Sequence, residues 1–191
     1  STSLISHYLA PEHEEKRNKH IDRIKSSVKN LTEILDDFLS VEKLEQGKVK
    51  TVNTRFDLKE FVEDVVDEMD GMLKKKEQKV SIVCDNPMEV NQDKKILRNI
   101  LLNLLSNAIK YSDDGKEICV TTGLNNTNVL ISVRDEGIGI PLQNQKDMFG
   151  KFYRAANAGH IQGTGLGLNI VTKYVELLNG NISFTSIENK G

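Results

Sequence analysis

In "LRNILLNLLSNAIKYS", residues 97–112, leucines and isoleucines recur at helical spacing, as in a helix with one buried face. Asn99, Asn103 and Asn107 interrupt that pattern at four-residue intervals, and Lys110 and Tyr111 follow. Asparagine propagates a helix poorly and belongs more often in caps and turns. At about 100° per residue, Asn99, Asn103, Ser106, Asn107 and Lys110 share one arc, while Leu97, Leu101, Leu104, Leu105 and Ala108 lie opposite. Packing explains the leucine side only. Any one of these asparagines could be plain solvated surface, but such a surface is normally built from Glu, Lys and Arg. A stripe of neutral amides beside one lysine could instead offer carbonyl oxygens to a hard cation and positive charge to phosphate. On this helix alone both readings stay open.

The chain around it has 191 residues, 38% hydrophobic and 28% charged, with formal net charge −2. That suits one or two globular domains and gives no basic surplus for nucleic acid and no signal for a membrane surface. Cys84 and Cys119 show no metal-ligand spacing and sit in apolar, β-branched runs, so reduced core thiols in a cytoplasmic protein are expected. No stretch approaches the roughly 18 apolar residues of a membrane span, although a parent protein could still be membrane-anchored.

Residues 1–46 are helical in pattern. Ile21, Ile24, Val28, Leu31, Leu35 and Phe38 alternate spacings of three and four, a coiled-coil-like seam. A short apolar piece before it (Leu4, Ile5, Tyr8, Leu9) is separated by "APEHEE", where Pro11 suits a turn or helix start. A helical hairpin with a shortened first arm is expected, and a second copy would complete it as a four-helix bundle. Residues 47–56 form a junction. From 57 on, Asp57 is expected to cap a helix over about 58–76, and "KVSIVC" reads as a strand. Asp93 caps the asparagine helix, and "EICVTTGL" and "VLISVRDEG" form a hairpin across "NNTN". An irregular stretch over 141–162, a helix after "GTGLGL" and a final strand "NISFTSI" complete an α+β sandwich with helices on one face of a mixed sheet.

"DEGIGI", residues 135–140, ends a strand with an acid and two glycines. It could be a simple turn. It could also let the Asp135 carboxylate accept from an exocyclic amine while Gly137 and Gly139 admit a flat ring against the backbone. "GTGLGL", residues 163–168, opens a helix whose exposed N–H groups favour phosphate oxygens; it is neither a Walker loop nor a dinucleotide fingerprint. Between them, Phe149 and Phe152 in "MFGKFYRAANAGHIQ" are expected to anchor a lid whose Lys151, Arg154 and His160 face anions, although each basic residue alone also fits a polar loop.

Taken in order, NxxxNAxKYS, DxGxG, FxxFYR and GTGLGL resemble the catalytic ATP-binding domain of sensor histidine kinases, in the GHKL superfamily, over roughly residues 55–191. The seam helix resembles the second helix of the dimerisation domain that precedes it. The resemblance implies a Bergerat-type two-layer ATP-binding fold over 57–191, and over 1–46 a partial dimerisation and phosphotransfer hairpin. It implies ATP and Mg²⁺ as ligands, with Asn107 on the metal, Asn103 assisting there or at the phosphates, Lys110 on phosphate and Tyr111 beside it. Asp135 would meet the adenine amine. Gly137, Gly139, Ile140, Gly163, Thr164, Gly165, Leu166, Gly167 and Leu168 would shape the purine pocket and the phosphate-facing hinge. Lys151, Phe152 and Arg154 would belong to the lid, with Arg154 on the γ-phosphate. The implied activity is transfer of the γ-phosphoryl group to a histidine of the dimerisation domain, then relay to the receiver domain of a response regulator.

Two departures stand out. The acceptor pattern of the family, a His followed by an acid, an apolar residue and Arg-Thr-Pro, fits none of His7, His13 and His20. The acceptor is therefore expected upstream of Ser1, and this piece alone is expected not to phosphorylate itself. The family pattern also continues into one more strand after "NKG". ATP-hydrolysing members of the superfamily place a general-base Glu four residues before the metal-binding Asn. Here that place holds Asn103, and an amide takes no proton at neutral pH, which disfavours direct hydrolysis. A module with a degenerate ATP site is disfavoured because every ligand-type residue is present.

Overall fold

The computed structural model describes residues 13–84, 88–125, 128–159, 161 and 163–191. The chain divides into two compact units, Ser1–Glu42 and Lys43–Gly191. The first is occupied by most of α1 (Glu14–Glu45), a 32-residue helix. Along its seam Ile21 and Ile24 are half-buried, and Val28, Leu31, Leu35 and Phe38 are exposed. His13 and His20 lie at its start and in its second turn. His7, Pro11 and the expected first arm with Leu4, Ile5, Tyr8 and Leu9 lie outside the described residues.

In the second unit both predicted N-caps form. Asp57 ends β1 (Thr54–Asp57), and its Oδ1 accepts from the backbone N–H of Lys59 at 2.8 Å and of Glu60 at 3.0 Å, opening α2 (Leu58–Glu68). Asp93 Oδ1 accepts from Ile96 N at 2.9 Å to open α4 (Lys94–Tyr111), the asparagine helix. Its second oxygen takes Val52 N at 2.7 Å and pins the junction to the helix start.

The main sheet has the order β2–β4–β5, with β2 (Lys79–Cys84) parallel to β4 (Glu117–Asn125) and β4 antiparallel to β5 (Asn128–Arg134). This is the expected mixed sheet. Period-2 alternation turns Ile118 and Val120 of β4 inward, fully buried, with Val80, Ile82, Ile131 and Val133 beside them. Phe61, Val62 and Val65 of α2 and Leu101, Leu105, Ala108 and Ile109 of α4 close on that face. The opposite face carries Cys119, Thr121, Ser132 and Arg134, half-buried or exposed. The same alternation corrects the reading of the cysteines: Cys119 faces away from the core, and both it and Cys84 are half-buried free thiols.

Three elements depart from expectation. The helix expected over 58–76 breaks at Met69 into α2 and α3 (Asp70–Lys75); there Met69 N bonds to Val66 O and Met72 N to Met69 O, tightening the turn in a stretch carrying Asp70 and Gly71. The junction yields β1, which pairs antiparallel with an unanticipated β3 (Glu89–Gln92). "NISFTSI" forms no strand among the described residues. Its polar groups are drawn into loop bonds, with Ser186 Oγ accepting from Ile140 N at 2.8 Å and Ser186 O from Gln145 Nε2 at 3.0 Å. A short α5 (Leu142–Gln145), one 3₁₀ turn (Ala156–Ala158) and α6 (Gly167–Leu177) complete the unit. No helix among the described residues is long and apolar enough to cross a membrane.

Candidate nucleotide-binding site

Helix α4 buries its leucine side and leaves the amide face half-buried. Asn103 Nδ2 donates to the backbone carbonyl of Asn99 one turn back, at 2.9 Å, which fixes the amide and aims Oδ1 away from the helix. Opposite it lies Gly167, the first residue of α6, where a Cβ would sit 3.0 Å from Asn103 Oδ1 and 3.9 Å from Asn107 Nδ2. A side chain at 167 would oblige the Asn103 amide to shift by a few tenths of an ångström, so glycine lets the start of α6 sit close against the amide stripe. Among the described residues the side chains of Asn107 and Lys110 make no hydrogen bond or ion pair, so both are available to a ligand.

The far end of α4 meets the Asp135 loop directly. Ile138 N donates to Tyr111 O at 3.1 Å, hooking the loop onto the last turn of the helix. Gly137 is buried there, and a Cβ on it would lie 2.5 Å from Tyr111 O and 2.7 Å from Asp135 Oδ1. Gly139 has φ +58° and leaves no room either, since a Cβ would fall 2.1 Å from Ile187 O. Asp135 Oδ1 accepts from Gly137 N at 2.9 Å. Burial pushes the Asp135 carboxyl above its usual range, and the Gly137 N–H partly opposes that shift.

The glycine loop at 163–168 reaches the same helix. A Cβ on Gly163 would stand 3.6 Å from the Tyr111 hydroxyl, and Gly165, at φ +72°, lies against the backbone of Phe152 and Tyr153. Thr164 Oγ1 accepts from Leu166 N at 3.1 Å, and Leu166 is buried. Leu168 is half-buried in the first turn of α6, and Ile140 is half-buried where the Asp135 loop ends.

The lid is only partly as expected. Phe149 anchors it, meeting Phe184 edge-on with centroids 5.5 Å apart. Phe152 does not: at φ +60° it turns its backbone toward Gly165, and its side chain is exposed. Lys151 Nζ pairs with Glu45 Oε1 at 2.6 Å. The Arg154 guanidinium donates to Ala158 O at 2.7 Å and also to Ile161 O, so in this conformation it braces the lid itself. His160 lies outside the described residues.

Sequence reading missed three amides that tie the lid down. Asn157 Nδ2 donates to Gly139 O at 2.9 Å, Asn169 Nδ2 to Phe149 O at 2.9 Å, and Asn144 Nδ2 to the Tyr153 hydroxyl at 2.6 Å. Side chains whose partners are brought near only by the fold, two main-chain carbonyls and the Tyr153 hydroxyl here, leave no spacing pattern to find.

Among the described residues no three His, Cys, Asp or Glu side chains are grouped to hold a metal ion. The oxygen donors on offer are amides. Mg²⁺ takes oxygen ligands, keeps several waters and shares its shell with substrate phosphates, so amide oxygens could fill only a small part of that shell.

The profile of the family described as "Histidine kinase-, DNA gyrase B-, and HSP90-like ATPase" matches residues 92–191. The signal transduction histidine-protein kinase BarA of Escherichia coli K12 is 39% identical over 181 residues, covering 90% of this chain and 20% of BarA. Among solved structures, full-length ShkA in complex with AMPPNP superposes with TM-score 0.74 at 22% identity, over 86% of this chain and 34% of that one. Histidine kinase ThkA in complex with the response regulator TrrA gives 0.73 at 24% identity, over 94% of this chain and 49% of that one. The chain thus spans about a fifth of its curated relative. It belongs to the histidine kinase-, DNA gyrase B- and HSP90-like ATPase family, as a sensor histidine kinase catalytic domain.

Proposed function

We propose that residues 57–191 bind Mg·ATP and present its γ-phosphoryl group to a histidine of a dimerisation helix, for later relay to the receiver domain of a response regulator. One observation carries this reading. A single helix, α4, places Asn103 and Asn107 under the start of α6, Tyr111 beside Gly163, and its terminal carbonyl on the Asp135 loop. Elements that would serve phosphate, metal and purine therefore meet on one rigid support.

Asp135 accepts from the adenine amine, and the Cβ-free backbone at Gly137 and Gly139 admits the ring. Asn107 holds the cation through its amide oxygen, with Asn103 assisting and Lys110 on the phosphates. When bound, Mg²⁺ neutralises charge on the β- and γ-phosphate oxygens. An imidazole nitrogen of the acceptor attacks the γ-phosphorus, the bond to the β–γ bridging oxygen breaks, and ADP leaves with that electron pair. The residues of the domain supply position and charge to this transfer rather than covalent chemistry. Arg154 reaches the γ-phosphate after releasing Ala158 O and Ile161 O. A second copy pairs through α1, and ThkA bound to TrrA supports a response regulator as the downstream partner.

The test uses γ-labelled ATP, Mg²⁺ and a separate polypeptide bearing a histidine with the acceptor pattern of the family. Acid-labile label on that histidine, with none on the domain itself, is expected. Steady release of free phosphate without any labelled histidine would instead mark an ATPase.

A further inference from the structure

The C-terminal end of α4 is held from outside the helix. Lys76, in the turn after α3, aims its ammonium at three main-chain carbonyls, Ile109 O at 2.9 Å, Lys110 O at 3.3 Å and Ser112 O at 2.6 Å. Gln78 is buried, and its Nε2 donates to Ile109 O at 3.3 Å, Ser112 O at 3.1 Å and Asp113 O at 2.9 Å. The carbonyl that neither reaches, Tyr111 O, is the one taken by Ile138 N of the Asp135 loop. Each carbonyl from 109 to 113 thereby has a donor, which a half-buried helix end requires. Lys76 is itself fixed, since its carbonyl accepts from Gly115 N at 2.8 Å.

A helix C-terminus carries roughly half a negative charge and attracts a cation from its own last turn. In α4 that cation is Lys110. With Lys76 already there, its three N–H donors matched by three carbonyls, the helix end no longer draws Lys110 back. The Lys110 ammonium indeed makes no hydrogen bond or ion pair among the described residues. The turn so clamped is the one that carries Asn107, Lys110 and Tyr111.

We propose that Lys76, seconded by Gln78, is a positioning residue of the nucleotide site: it replaces Lys110 as counter-charge of the α4 terminus and so leaves Lys110, Asn107 and Tyr111 set for phosphate and metal. This rests on the Mg·ATP reading above.

The test is calorimetry of Mg·ATP and of adenosine on the wild type, Lys76→Met, Lys76→Arg and Lys110→Met, with Lys76→Gln standing in if Lys76→Met does not fold. Lys76→Met weakens Mg·ATP about ten-fold, the scale of one charge-assisted contact, and adenosine less than about two-fold. Lys76→Arg recovers most of the loss. The Lys76→Met and Lys110→Met effects on Mg·ATP are non-additive, because one acts through the other. In the nucleotide-free protein, amide exchange at Ser112 and Ile138 quickens in Lys76→Met. Equal weakening of adenosine and Mg·ATP, or strict additivity with Lys110→Met, would reduce Lys76 to a general stabiliser and overturn the inference. A wild type that binds adenosine but gains nothing from Mg²⁺ and phosphates would overturn the Mg·ATP reading and this inference with it.

Discussion

In the proposed site Asp135 meets a purine amine as a carboxylate, whereas in the folded protein without nucleotide burial disfavours its charged form. Its pKa is raised in the folded state, so the native protein holds this proton more tightly than the unfolded chain. The associated stability is complete below the ordinary aspartate pKa and is lost as pH rises through the raised one. Asp135→Asn keeps an acceptor for Gly137 N and removes the charge. The variant should therefore gain stability relative to the wild type as pH climbs through that window, and at neutral pH melt no lower, while binding adenine nucleotides more weakly. Melting curves of both proteins across pH check this; a variant less stable by a constant amount at every pH would contradict it. Asp135, Gly137 and Gly139 were legible because an acid and two glycines at a strand end form a local pattern. Asn157, Asn169, Lys76 and Gln78 were not, because they act on carbonyls far along the chain.

Among the elements, α4 was legible from both of its faces. Leu105 lies fully buried in the core that α4 shares with α2 and the main sheet, and Leu105→Ala should cost about 2–5 kcal/mol, read from denaturant unfolding. Little or no change would mean that the leucine face is not the core. The strands β1 and β3 were not legible, since each has four residues and is stabilised by the other at a distance of 35 residues or so in sequence. "NISFTSI" misled for the opposite reason: its β-branched and aromatic pattern is genuine, but Ser186 is taken up by Ile140 and Gln145. The segment 141–162 belongs with these cases. Its length and glycines suggest a mobile lid, and the structure adds the Asn157 tie to Gly139 O. Asn157→Ala should speed amide exchange across residues 142–158 several-fold in the nucleotide-free protein, with little change in global stability. Strong protection that survives the substitution would show that the tie does not restrain the lid.

For the molecule as a whole, the two units make separate claims. Val28, Leu31, Leu35 and Phe38 present an exposed apolar row on α1, which needs a partner of matching periodicity. Sedimentation should show concentration-dependent self-association, abolished by Leu35→Glu with Phe38→Glu; a strict monomer at high concentration would contradict pairing through the seam. The resemblance made the fold class of the second unit legible at a coarse level, because four motifs in order constrain the layout more than any one of them does. In the proposed function α4, the Asp135 loop and the 163–168 loop form one Mg·ATP site. Its most direct test is calorimetric titration of Mg·ATP and of metal-free ATP into the wild type and Asn107→Ala. The wild type should bind Mg·ATP more tightly than metal-free ATP, and Asn107→Ala should abolish that difference, at a loss of about ten-fold or more in Mg·ATP affinity. A metal-dependent gain that persists undiminished in Asn107→Ala would contradict the account.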